Sequence, residues 1–512
     1  MKLKCGSRYI TVVFMRHSSA SAQVHQPLNY INGTRVESAT KDPGHKFHLI
    51  APATGEILRD VPGAGAEDVD SAVAAARTAF TSWSKQPAFQ RGSILIKAAD
   101  IIRARSEEIA RVEVLDTGKP IWEARYDILG CADTIQYYGG LAATLTGEFM
   151  KLANDSFTYT IREALGVVGG IGAWNYPFQM AAFKSAPALV CGNAMVFKPS
   201  PLTPLTAVML AEIFTEAGLP DGCFNVIQGA GETGQLLVRH PKIAKMSFTG
   251  SVNTGSKIMA GCAESIKHIT LELGGKSPLI IFSDADLDNA VKGAMMANFT
   301  NQGQVCSNGT RVFVQKDILA QFLEKLVTRT KGMKIGDPNE EDTMVGATIS
   351  QEQAEKTLRY VQLARKEGAT VVYGGERVTP TDARLKGGYY LSPCVLTDCA
   401  DHMTVVKEEV FGSVMSILTF DTEEEAVRRA NDTEFGLAGG VFTKDLMRAH
   451  RVIAGMEAGS LYVNNYNLIP VGLPFGGFKK SGIGRENGPD TLNYYSQIKS
   501  VYFEGGDVDC PY

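Results

Sequence analysis

The chain has 512 residues, 44% of them hydrophobic and 21% charged, proportions that exclude disorder over most of its length. Its 51 Lys+Arg against 55 Asp+Glu leave a net charge of −4, which argues against nucleic acid as a partner, because phosphate recognition needs a basic excess. Nine widely spaced cysteines, with no CxxC pair and no HExxH, make neither a disulfide framework nor a zinc motif; a reducing compartment fits, and no metal site is expected.

Taken in chain order, residues 1–24 read as an extension. No acid precedes Glu37, while Lys2, Lys4, Arg8 and Arg16 are basic, so the segment suits a mitochondrial transit peptide as well as a plain tail; otherwise the cytoplasm is expected. The apolar run Tyr9–Met15 ends at Arg16, and no run is long enough to span a bilayer. From residue 66, Val69, Ala72, Val73 and Ala76 recur at helical spacing, and a second helix is expected over Gln90–Asp116, closed by Gly118 and Pro120. Then strands and helices alternate. Strands are predicted over Gly166–Gly172, Ala194–Phe197, Phe224–Ile227, Lys245–Phe248 and up to Glu272, with helices between. A second alternation begins at Leu279–Phe282 and runs to about Gly440. Such alternation predicts parallel sheets in α/β domains, with ligands bound where the strands end. The tail Asn493–Val501 is aromatic and β-prone. Tyr494, Ser496 and Ile498 would share one face of a strand that pairs across a subunit boundary or within its own chain.

Several residues suggest chemistry. Cys306 stands between Gly303 and Gly309, where a sharp turn can expose a sulfur beside backbone amides; the alternative is a small buried hydrophobe. Glu272, between Leu271 and Leu273 and before Gly274-Gly275, is either a desolvated general base or a strand-end acid paired with Lys276. Asn175, after a buried strand, could donate to an oxyanion or cap the following helix. Two loops compete as phosphate cradles: Gly229–Gly234 is a literal GxGxxG, and Phe248–Gly255 also leads from strand to helix.

The motifs WNYP, FKPS, FTGSxxxG, LELGGK, GQVC, EEVFG and PFGGxKxSGxGRE occur in that order between Trp174 and Glu486. In this, over about Gln26 to Val501, the chain closely resembles the NAD(P)-dependent aldehyde dehydrogenases. The surroundings of Cys306, VCSNGTRVFV, are most similar to the branch that oxidises 4-trimethylaminobutyraldehyde and betaine aldehyde.

The resemblance implies an α/β fold: a Rossmann-like NAD-binding domain over 25–145 and 165–272, an α/β catalytic domain over 273–485, and a small β oligomerisation element over 146–164 and 486–512. It implies Cys306 as nucleophile, Glu272 as general base, and Asn175 with the Cys306 amide as oxyanion hole. NAD would be held by Lys198, by the loop Gly250, Ser251, Val252, Asn253 and Thr254, and by Glu409, with Phe411 against the nicotinamide. Glu486 resembles a second acid in proton transfer. Tyr176, Phe183 and Phe475 are nominated as an aromatic cage for a trimethylammonium group, or else as apolar walls. The expected partners are a small aldehyde and further copies of the chain in a homotetramer, with no nucleic acid and no membrane. Two departures stand out. Pro201 replaces the acid that many members carry three residues after the FKPS lysine, which weakens the expectation of strict NAD selectivity. Ser413 replaces the usual proline after the EEVFG motif. A CoA-acylating enzyme and a non-catalytic structural protein on the same fold are the rivals. The first would not need Glu272, and the second would not need Cys306, Asn175 and Lys198 either.

Overall fold

The computed structural model describes residues 26–40 and 45–512; the expected extension 1–24 lies outside them. Its main sheet has eight strands. Five parallel strands form the middle, in spatial order Phe224–Val226, Ala194–Lys198, Val167–Ile171, Lys245–Thr249 and His268–Glu272. The first three strands in the chain step one way across the sheet and the last two step the other way. The order therefore reverses between Val167–Ile171 and Lys245–Thr249, and a crevice opens there at the strand C-termini. Asn175 follows the first of these two strands and Gly250 the second.

Alternate residues of the central strands face opposite layers, as a pleat requires. Val168, Met195 and Phe197 pack with helices Pro177–Val190 and Leu205–Ala217, while Val167, Ile171 and Met246 pack with helices Ala66–Trp83, Gly231–Arg239 and Val252–Ala263. Both faces are covered, which is why these strands read as nearly unbroken apolar runs.

The second sheet has seven strands, in the order Thr370–Tyr373, Cys394–Thr397, Val414–Phe420, Arg311–Gln315, Pro278–Ile281, Ala438–Phe442 and Ser460–Val463; all neighbours are parallel except the first pair. The α/β class is thus as expected. One strand crosses the expected division. Gly482–Ile483 returns to the first sheet and pairs antiparallel with Leu271 and Glu272. This return brings Arg485 and Glu486 to the end of the strand that carries Glu272.

Two expectations need correction. The single helix Gln90–Asp116 is two helices, Ala88–Ala104 and Ser106–Thr117, broken at Arg105 (φ −106, ψ 12). Glu107 and Glu108 fall in the first turn of the new helix, where its dipole favours acids. In the tail, Tyr494 closes a one-turn helix, Thr491–Tyr494, and the strand is Ser496–Phe503. That strand pairs along its whole length with Phe157–Ala164 of the same chain, so its backbone does not depend on another subunit. Tyr495, not Tyr494 or Ile498, is the buried anchor, with its carbonyl accepting from Asn193 Nδ2 at 2.8 Å. Among the described residues, no helix is long and apolar enough to cross a membrane.

Candidate active site

Cys306 lies on the chain between the short turn Thr300–Gly303 and strand Arg311–Gln315. The turn is left-handed for three residues running: Asn301 at φ 49, Gln302 at φ 53 and Gly303 at φ 72. Each non-glycine residue in that region costs roughly 1–2 kcal/mol, so the turn persists only where its surroundings impose it. Glycine is required at Gly303, where a Cβ would meet the backbone of Gly412 at 2.2 Å. It is required again at Gly275, where a Cβ would sit 2.5 Å from the Cys306 carbonyl oxygen. The paired glycines of LELGGK thus let the end of the Glu272 strand approach the cysteine loop.

Asn175 is buried and joined to the same loop. Its Nδ2 donates to the Gln304 carbonyl at 2.9 Å, and its own carbonyl accepts from Asn301 Nδ2 at 2.9 Å. One N–H of its amide remains free for another acceptor. The alternative of helix capping is not realised, since Tyr176 is the N-cap of Pro177–Val190 and makes no side-chain cap.

Glu272 ends strand His268–Glu272 and is 4% exposed. Neither carboxylate oxygen has a protein partner, so the alternative of an ion pair with Lys276 is also not realised. Burial first, and the charge of Glu486 second, hold the Glu272 carboxyl well above the ordinary carboxylate range; Lys184 and Arg485 oppose this from further off. An ionised carboxylate left unpaired in such a place costs several kcal/mol, so the group rests neutral. Glu486 is itself tied to the ammonium of Lys184, which also donates to Thr249 Oγ1 at 2.7 Å. Ser247 Oγ donates to Glu486 at 3.3 Å.

The half-buried Cys306 thiol is pushed up to about 12 by desolvation, then by the charges of Glu409 and Glu272. Its thiolate fraction at pH 8 is therefore about one in ten thousand in the free protein.

A thiol, an amide donor on its loop and a dry carboxyl are the parts that an acyl-transfer site needs, and the chain's relatives have the same fold and sequence plan. Residues 39–501 match the aldehyde dehydrogenase family. The 4-trimethylaminobutyraldehyde dehydrogenase of Oryzias latipes is 58% identical over 492 residues, 96% of this chain and 97% of that protein. The human protein of that name is 57% identical, covering 96% of this chain and 99% of its own. The crystal structure of betaine aldehyde dehydrogenase from Staphylococcus aureus in complex with NAD+ superposes with a TM-score of 0.91 at 39% identity, over 95% of this chain and 96% of that one. The chain belongs to the aldehyde dehydrogenase family.

In this aldehyde dehydrogenase the expected cofactor residues come from both sheets: Lys198 and the loop Gly250–Thr254 stand at strand ends of the first, and Glu409 and Phe411 precede strand Val414–Phe420 of the second. Lys198, at the end of its strand, is buried, and its Nζ donates to the carbonyls of Pro199 (2.8 Å) and Gly229 (2.9 Å). Burial lowers its ammonium to about 8. The contact with Gly229 brings the first glycine-rich loop beside the FKPS lysine. The second loop carries Gly250, Ser251, Val252, Asn253 and Thr254 at the start of helix Val252–Ala263. Ser251 caps only the Thr254 amide, so the first-turn amides of Val252 and Asn253 stay open to an anion. Glu409 Oε1 accepts the Gly275 amide at 3.2 Å, and no protein donor engages Oε2. Phe411, at φ 60, meets Trp174 edge to face, 5.1 Å between ring centroids. Open amides, a free carboxylate oxygen and an aromatic wall suit a dinucleotide with two riboses and a planar ring.

The nominated aromatics differ in their surroundings. Phe183 is a core residue, 9% exposed, packed with Phe178 and Leu189. Tyr176 is half-buried, and the Lys119 ammonium sits 4.1 Å from its ring centroid. Phe475 pairs through its backbone with Glu486 (2.7 and 2.8 Å). None of the described ring contacts joins the three.

The sequence analysis missed Lys184, Asn301, Gln304 and Glu123. Lys184 left a signal, as the one charge in the apolar helix Pro177–Val190. The others are bound through backbone atoms and left none.

The buried thiol sets a pH dependence. Between pH 7 and 10 the alkylation of Cys306 by iodoacetamide in the free protein should rise about tenfold per unit, because the group stays almost wholly protonated across that range. A plateau near pH 8 in stopped-time mass spectrometry would show that the thiol ionises far more easily than its surroundings imply.

Proposed function

We propose that this protein oxidises trimethylammonium aldehydes, 4-trimethylaminobutyraldehyde above all, to their carboxylic acids with NAD as hydride acceptor. The observation that carries the reading is the dry, unpartnered carboxyl of Glu272 beside the Cys306 loop. A group so placed serves to take a proton from water, and water is what releases an acid rather than a CoA ester. The substrate class rests on the names of relatives at 57–58% identity over 96% of the chain. Betaine aldehyde is the competing substrate, named for solved relatives at about 40%.

In this reading Glu272, once it has lost its own proton to solvent, takes the Cys306 thiol proton and sheds it in turn, and Sγ adds to the aldehyde carbon. The oxygen that becomes anionic is received by the free N–H of Asn175 Nδ2 and by the Cys306 amide. Bound NAD supplies the acceptor for the hydride, which leaves a thioester on Cys306. Glu272 takes a proton from the water that attacks this thioester and returns it to the departing sulfur, so the thiol is restored and the carboxylic acid leaves. Lys198 would hold the adenosine ribose, the open amides of Val252 and Asn253 the pyrophosphate, and Glu409 the nicotinamide ribose, with Phe411 lining that end. Pro201 offers no charge against a 2′-phosphate, so NADP is admitted more readily than where an acid stands there.

The family resemblance also supports a homotetramer, and the three-stranded sheet Phe149–Lys151, Phe157–Ala164 and Ser496–Phe503 supports assembly of some kind. Register puts Phe149, Phe157, Tyr159, Ile161, Val501 and Phe503 on one of its faces, with Lys151, Glu163 and Lys499 on the same face. Phe149 is 68% exposed there and Phe503 47%, an apolar patch with charged residues beside it that a second copy would cover.

Three outcomes test these proposals. Specificity constants should fall in the order 4-trimethylaminobutyraldehyde, betaine aldehyde, hexanal, and a preference of tenfold or more for hexanal would remove the trimethylammonium assignment. Glu272→Gln should release about one NADH per active site in a rapid-quench trace and then stall on the thioester, since the amide cannot accept the water proton; steady turnover at the wild-type rate would exclude Glu272 as base. Phe149→Asp combined with Phe503→Asp should elute at a fraction of the wild-type mass by light scattering; an unchanged mass would mean that this face lies outside the interface.

A further inference from the structure

We infer that Glu123, which no part of the proposed mechanism uses, is a positioning residue that holds the Cys306 loop and Asn175 in register. The inference rests on the assignment of Cys306 and Asn175 as reacting groups. Glu123 sits in the first turn of helix Ile121–Leu141, is 5% exposed, and has its head turned away from solvent. Both of its oxygens accept the backbone amide of Asn301, at 3.1 and 3.0 Å. Asn301 is the first of the three left-handed residues that lead to the cysteine. Its side chain then donates to the Asn175 carbonyl, Asn175 donates to the Gln304 carbonyl, and Gln304 Nε2 donates back to the Asn301 carbonyl at 3.2 Å. The ring closes on itself, and Glu123 is its attachment to the helical layer. Gln304 Oε1 makes a second attachment by accepting the Ile349 amide at 3.0 Å.

A buried amide on a left-handed residue has no helix or strand to satisfy it. Without an acceptor at Glu123 the turn would relax toward ordinary dihedrals, and the sulfur and the Asn175 amide would shift together. The carboxyl is held up at about 8, mainly by burial. It is thus largely neutral at pH 7, and the clamp needs an oxygen lone pair rather than a charge. A glutamine can supply that oxygen; a leucine of similar bulk cannot.

The test compares Glu123→Leu and Glu123→Gln with the wild-type protein, using kcat per titrated Cys306 thiol, KM for NAD, and melting temperature. Misplacement of reacting groups costs up to about a hundredfold in rate, so Glu123→Leu should lose about 10- to 100-fold in kcat with KM for NAD within about twofold, while Glu123→Gln stays within about threefold of wild type. Equal loss in both variants, or a Glu123→Leu protein with kcat per thiol within twofold of wild type, overturns the inference. If Glu123→Leu does not fold, Glu123→Gln decides alone through its rate of Cys306 alkylation: within threefold of wild type supports the clamp, and a loss beyond tenfold rejects it. Cys306→Ala, measured in parallel, separates the two levels of the argument. If it retains activity, the reading of the site fails; if it is inactive while Glu123→Leu is unimpaired, only the clamp fails.

Discussion

Burial is the largest influence on both the thiol of Cys306 and the carboxyl of Glu272, and it favours the neutral form of each. Both groups therefore rest neutral. Desolvation is the common cause, and it follows from covering both faces of the parallel strand that ends in Glu272. A neutral carboxyl does not repel an approaching aldehyde oxygen, and a protonated thiol is protected from adventitious oxidation. The cost is that neither group is ready to react until a proton has left the site. Glu486, Lys184, Ser247 and Thr249 form a separate hydrogen-bonded cluster, to which no described hydrogen bond joins Glu272.

Close approach is the second demand. The carbonyl of Cys306 lies against Gly275 and the turn before it against Gly412, with no room for side chains at Gly275 or Gly303. The end of the Glu272 strand and the cysteine loop thereby come together. The return of Gly482–Ile483 to the first sheet adds Arg485 and Glu486 to the same place. Backbone fit rather than side-chain reach sets the geometry, and a left-handed turn held by hydrogen bonds from Glu123, Asn175 and Ile349 is the consequence.

Much of this was legible in the sequence. Val69, Ala72, Val73 and Ala76 at helical spacing, the Gly-Val-Ile run before Asn175, and Pro204 and Gly218 around an apolar segment each act locally, so their elements appear where expected. Arg105 was not legible as a break, because a residue with ordinary helix propensity gives no local sign of the bend. Nor was the pairing of Ser496–Phe503. Its alternation announces a strand, but the partner Phe157–Ala164 lies more than 300 residues away, and registers between distant strands depend on which edges the rest of the fold leaves open.

The sequence by itself determined the family: a cysteine between glycines, an acid between leucines, an asparagine after a buried strand, and seven motifs in one order. These are local choices of residue type. Tertiary structure decided what those residues experience. It left both oxygens of Glu272 without a partner, passed over Lys276 in favour of Lys184 for the nearby acid Glu486, set Phe183 in the core and gave the ring of Tyr176 to Lys119. Desolvation and partnership depend on every chain segment that crosses the site, and no window of sequence contains them all.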